Sequence, residues 1–201
     1  MSSLIETIFQ QIGGNNVKEI GRKVGTDERS ASNLISAALP LLVGALARNS
    51  SGEEGADALS RALSNDHDGS ILDNLSDFLG RSETEAGDGI LRHVLGDRRK
   101  TVETGLSRSS GADIQSVGKV MALLAPIVMG ALGKTQRENN LDARSLSGYL
   151  GQERAELERS DPQAMGALGR LLDADGDGDV DAGDIARHGF GLLGRLFGGK
   201  S

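Results

Sequence analysis

Ala38-Leu39-Pro40-Leu41-Leu42-Val43-Gly44-Ala45-Leu46 returns 86 residues later as Leu124-Ala125-Pro126-Ile127-Val128-Met129-Gly130-Ala131-Leu132, with Pro, Gly, Ala and Leu in register. Upstream, Gly25, Asp27 and Ser30 fall on Gly111, Asp113 and Ser116 at the same offset. Any two apolar helices look alike, but that does not explain a shared Pro preceded by a shared Gly and Asp. Two copies of one helical unit do. In each copy the apolar residues recur at helical spacing, Ser30 or Ser116 is placed to cap the helix, and Gly44 or Gly130 admits a neighbouring backbone. Pro40 and Pro126 are expected to kink that helix or to begin a second one.

Shorter helices are expected around these two. Residues 53–63 set Ala56, Leu59, Ala62 and Leu63 on one face, and residues 70–79 do the same with Ile71, Leu72, Leu75, Phe78 and Leu79. Residues 90–95 and 102–106 read as brief, Gly-bounded pieces. Residues 146–150 and 154–159 echo the first copy more loosely, while 136–144 and 152–162 are polar enough for loops or exposed helix faces. Alternating runs rich in Val, Ile and Thr are missing, so no sheet is expected. The fold class is therefore all-α: a compact array of short helices built from a tandem repeat, with units at 1–85 and 86–160 joined near 81–88, and a distinct C-terminal part at 161–201.

At 201 residues the chain can bury a real core, but aromatics make up only 2% of it. Phe9, Phe78, Tyr149, Phe190 and Phe197 are the full set, so burial rests on Leu, Ile, Val, Met and Ala. The 29 Gly and 3 Pro exclude a collagen-like or proline-rich chain and point to loop ends and close helix contacts. The absence of Cys excludes disulfides and thiolate zinc sites. Net charge is −7, and six of those negative charges sit in residues 173–184, which leaves the rest nearly neutral. Nothing basic enough to track a phosphate backbone remains, so no nucleic-acid partner is expected. Residues 1–11 lack a basic start followed by an apolar stretch, and the apolar run 34–46 falls short of the ~20 residues that span a bilayer. A cytoplasmic bacterial protein is the expectation.

Residues 173–184 read Asp-Ala-Asp-Gly-Asp-Gly-Asp-Val-Asp-Ala-Gly-Asp and carry the chemistry. Calcium takes six to eight oxygens at about 2.3 to 2.6 Å, which alternate residues of a tightly turning twelve-residue loop can supply. Asp173, Asp175 and Asp177 occupy positions 1, 3 and 5. Asp179 offers its carbonyl at position 7, Asp181 acts directly or through water at position 9, and Asp184 closes the shell at position 12. Gly178 falls at position 6, where the chain must turn sharply. Six carboxylates with no Lys or Arg among them repel one another unless a cation intervenes. Position 12 is ordinarily Glu, and Asp184, one methylene shorter, must come closer or bind through one oxygen. In ending on Asp the loop is similar to those of dockerin modules, a likeness confined to the loop and the helix after it.

Three further segments carry a family resemblance: Asp66-His67-Asp68-Gly69-Ser70-Ile71-Leu72-Asp73, Gly89-Ile90-Leu91-Arg92-His93-Val94-Leu95-Gly96, and the two Pro-containing helices. Together they resemble the YidB-like family of bacterial proteins over most of residues 1–150. The resemblance implies a compact array of short helices, often duplicated, with many relatives ending in an acidic loop and a Gly-rich helix. It implies no activity.

The remaining features read as structural. Residues 66–70 echo the acidic loop, but aligning Gly69 with Gly178 puts Ser64 and Leu75 at the first and last ligand positions, so Asp68 or Ser70 is expected to cap a helix instead. His67, His93 and His188 share no metal-ligand spacing. Residues 105–109 lack the second Gly of a nucleophile elbow. Arg98-Arg99-Lys100 reads as a solvated loop. Residues 185–199 set Ile185, Leu192, Leu193, Leu196 and Phe197 on one helical face but also contain Gly189, Gly191 and Gly194, each costing about 1 kcal/mol against Ala. Such a helix needs support, which ion binding at its start and docking on the helical body or on a second copy would supply. Contact with a membrane surface ranks lower, since only Arg187, Arg195 and Lys200 are basic. The expected function is thus a calcium-binding helical protein, not an enzyme, with a structural or interaction role and a self-associating or partner-binding C-terminal helix. A cytosolic calcium buffer or sensor is the alternative, and a calcium-regulated hydrolase ranks below both.

Overall fold

Asp27 and Asp113 begin the two long helices around which the other elements are packed. The computed structural model describes residues 3–81 and 84–160, and these contain helices and no strand. In chain order the elements are α1 (Leu4–Val24), α2 (Glu28–Asn49), α3 (Glu53–Asp66), α4 (Ser70–Asp73), α5 (Leu75–Gly80) and α6 (Glu85–Leu95). A 3-10 turn at Gly96–Arg98 leads into α7 (Arg99–Ser110), followed by α8 (Ile114–Glu138) and α9 (Ala143–Ser160).

The caps differ from the sequence expectation by three residues. Asp27 Oδ1 accepts the Ser30 N–H at 3.0 Å, and its Oδ2 accepts the Ser30 hydroxyl at 2.7 Å. Asp113 Oδ1 likewise accepts the Gln115 and Ser116 N–H groups, each at 3.0 Å. An aspartate here both satisfies orphan amides and places negative charge at the positive end of the helix, which Ser30 and Ser116 alone could not do. The Ser116 hydroxyl lies 2.6 Å from Asp113 Oδ2 and 2.8 Å from the Val24 carbonyl, so its one proton serves both acceptors and ties α8 to the end of α1. Gly25 and Gly111, with φ of 79° and 73°, terminate α1 and α7 just before the two caps.

Neither proline starts a new helix: α2 runs through Pro40 and α8 through Pro126. Pro126 has no N–H to give the Ala122 carbonyl four residues back. Gly87 of α6 lies directly against that carbonyl oxygen, and a Cβ at Gly87 would collide with it. The site vacated by the missing hydrogen bond is thus a point of close approach between α6 and α8.

Residues 120–133 of α8 are buried without interruption, as expected of a helix that is apolar all round. It packs against α1, α2, α3, α4, α6 and α7. α2 is amphipathic and packs against α1, α6, α7, α8 and α9. Residues 1–85 and 86–160, the two sequence units, therefore share one hydrophobic core made of Leu, Ile, Val, Ala and Met. The apolar runs extend into helices of 22 and 25 residues, α2 and α8, both long and apolar enough to cross a membrane. Most of each apolar window is buried inside the fold, 56% for α2 and 89% for α8.

Elsewhere the boundaries shift. The single helix expected at 70–79 is broken at Asn74 into α4 and α5. The pieces at 146–150 and 154–159 are one helix, α9, and most of 136–144 is the end of α8 and a short turn. Gly130 makes room for the Ile71 side chain and for Gly69, whose φ is 90°, so the 67–71 turn seats on α8.

Candidate functional site

The predicted calcium ligands Asp173, Asp175, Asp177, Asp179, Asp181 and Asp184, and the apolar helix at 185–199, lie outside the described residues. Among the described residues, no three His, Cys, Asp or Glu side chains gather where they could hold a metal ion. Asp68 instead accepts the Ser70 N–H at 3.0 Å and its hydroxyl at 2.6 Å, holding the turn before α4. These bonds, with the Arg137 guanidinium beyond them, keep the Asp68 carboxyl below its ordinary range. His93 Nδ1 lies 3.0 Å from the Gly89 carbonyl. Ser107, in the segment that lacks the second Gly of a nucleophile elbow, donates its hydroxyl to the Ala112 carbonyl at 2.7 Å and closes the end of α7.

Arg98-Arg99-Lys100 is not the solvated loop that its composition suggests. Arg99 opens α7 and is bracketed by two carboxylates, with Nη2 donating to Asp88 Oδ1 at 2.6 Å and Nε donating to Glu103 Oε1 at 2.7 Å. Its side chain is 26% exposed, which makes this the least solvated ion pair among those described. Glu103 finds its place because Gly118 of α8 has no side chain: a Cβ there would stand 3.2 Å from the Glu103 carboxylate. The three groups floor a cleft of about 640 Å³ between α6, α7 and α8, rimmed by Asp97, Lys100, Gln115, Lys119 and Ile114. Ile114, 41% exposed, is the one large apolar side chain left open to solvent among the described residues. The lining balances three basic against three acidic side chains, and chemically it can bind and orient; it pairs no nucleophile with a base.

A second concavity runs along α9. Two adjoining hollows, of 230 and 350 Å³, share Ser51 and Ser147 and form one groove between α9 and the α2–α3 corner. Its floor is made of small residues, with Ala143, Ser147, Gly151 and Ala155 from α9 facing Ala47, Gly52 and Ala56. Glu53, Asp57 and Arg144 stand at one end, Arg154 and Glu158 at the other. On the other side of α9, Glu153 Oε2 accepts the Leu4 N–H at 2.8 Å and so caps α1 from a helix 149 residues away. Burial pushes the Glu153 carboxyl up from its ordinary value, against the pull of the Leu4 and Tyr149 hydrogen bonds. Tyr149, half-buried beside that carboxylate, is pushed up to about 12.

An all-helical body around two buried proline-containing helices, with paired charges at its clefts, defines the class of protein. The chain belongs to the family of bacterial proteins of unknown function DUF937, whose family model matches residues 6–135. That span covers α1 through most of α8 and stops before α9 and the acidic loop. No curated protein and no solved structure matches the chain.

Proposed function

We propose that this protein is a calcium-binding, YidB-like helical protein of the bacterial cytoplasm with a structural or interaction role. The ion is held by Asp173, Asp175, Asp177, Asp179, Asp181 and Asp184, and residues 185–199 make the contacts. The observation that carries this is the spacing in residues 173–184, where oxygen-bearing side chains stand at alternate positions around Gly178 with no basic residue to neutralise them. The helical body supports the reading as a scaffold: its long helices are largely buried, Asp27, Asp113 and Asp142 hold helix starts, and Asp88, Glu103 and Glu158 pair with Arg. Ion binding would fix the start of a Gly-rich segment too weak to hold a helix alone, so that metal and docking stabilise each other.

Calorimetric titration of the full chain with calcium and with magnesium tests this. A saturable calcium heat that Asp173→Ala abolishes is the expected result. No heat at millimolar calcium would overturn the proposal.

A further inference from the structure

We propose that the groove between α9 and the α2–α3 corner is the seat of this chain's own residues 185–199, packed as a helix antiparallel to α9. The inference rests on the calcium reading, since the ion is what sets the start of that segment. Four observations converge on this occupant.

The first is size. The groove floor is built of Ala, Ser and Gly, and a Cβ at Gly151 would meet nothing within 4 Å. The segment's apolar face is the converse, carrying Ile185, Leu192, Leu193, Leu196 and Phe197. Large side chains on one helix fill the space that small ones leave on its neighbour. The second is length. From Ala143 to Glu158 the groove follows about 22 Å of helix at about 1.5 Å per residue, and residues 185–199 in a helix are equally long. The third is connection. The described chain leaves α9 at Ser160, beside the Glu158 end of the groove, and 24 residues (161–184) separate it from Ile185. A tether of that length reaches either end of the groove, so the antiparallel direction is set by the charges described next. So short a tether also holds the segment at an effective concentration of order millimolar, which favours its own groove over that of a second copy. The fourth is charge. An antiparallel run carries Arg195 and Lys200 to the far end, where Glu53 and Asp57, in no ion pair among the described residues, outnumber the one basic residue of that end, Arg144.

The test uses the full chain, which has no cysteine of its own. In Ser147→Cys/Leu196→Cys, mild oxidation should form a disulfide within one chain, at monomer mass, at least tenfold faster with calcium than with chelator. Adding Gly151→Trp, which fills the groove, should slow that reaction at least tenfold. No disulfide, a disulfide only between chains, or a rate indifferent to Gly151→Trp would each overturn the docking. Calcium titration of the same variants separates the two readings: heat without the disulfide sinks the groove and spares the ion site. A disulfide without heat sinks the ion site and spares the groove.

Discussion

Glu153 is the residue whose chemistry is most out of keeping with its surroundings. Its carboxylate is half-buried, caps α1 through the Leu4 N–H and lies beside Tyr149. Because burial raises its pKa above the ordinary glutamate value of 4.5, the folded state holds this proton more tightly than the unfolded chain does. The stabilisation is complete below 4.5 and is lost as pH rises through the folded value. Glu153→Gln has no proton to lose, yet its amide oxygen can still accept from Leu4. Melting temperatures across pH 3.5 to 8 should therefore show the variant gaining on the native protein as pH rises, with the gap flat once Glu153 is ionised. A pH-independent difference would contradict the assignment. Asp27, Asp68, Asp113 and Asp142 have the opposite sign: helix-start hydrogen bonds lower each of them, so their contribution is present above the ordinary value of 3.8 and fades as pH falls through the folded values.

Among the elements, the α6–α8 contact at Gly87 and Ala122 leaves no room for a side chain. Gly87→Ala should destabilise the fold by about 1–3 kcal/mol, as overpacking of a tight site does, and denaturant unfolding reads it directly. A variant as stable as the native chain would show that α6 can slide. Nothing in residues 85–95 announces this contact, because Gly87 acquires its meaning only beside a carbonyl released by Pro126. The long helices, by contrast, were readable from their apolar spacing, their prolines and the aspartates before them. α1 carries no such signal in its sequence: its apolar series Leu4, Ile8 and Ile12 restarts out of phase at Val17, Ile20 and Val24, because Gly13, with φ of 60°, breaks the helix between them. α9 looked like two pieces because Gly151 and Gln152 interrupt its pattern. Half of the Arg99 bracket was legible, since Glu103 is four residues on, whereas Asp88 reaches it only through the turn between α6 and α7. The acidic loop could be read because its ligands are consecutive in sequence; the cleft and the groove belong to surfaces that exist only after packing.

For the molecule as a whole, the decisive fact is that each half supplies walls for the other's long helix. α8 is covered by α1, α3 and α4 as well as by its own neighbours, and α2 by α7 and α9. Residues 3–81 and 84–160, produced as separate chains, should each lack a cooperative melt, because each exposes the side of its long helix that the partner would bury. Mixed in equal amounts, they should recover the helical circular dichroism of the intact protein. A sharp transition from either piece alone would mean that the halves are independent domains after all.

The hydrogen bond between Leu4 and Glu153 ties the start of the first described helix to the last one, while the covalent crossing from one half to the other passes through 82–83. The architecture is therefore indifferent to which half is translated first. A circularly permuted chain beginning at Glu85, with residues 161–201 bridging round to Ser3, would meet the same neighbours in the same places.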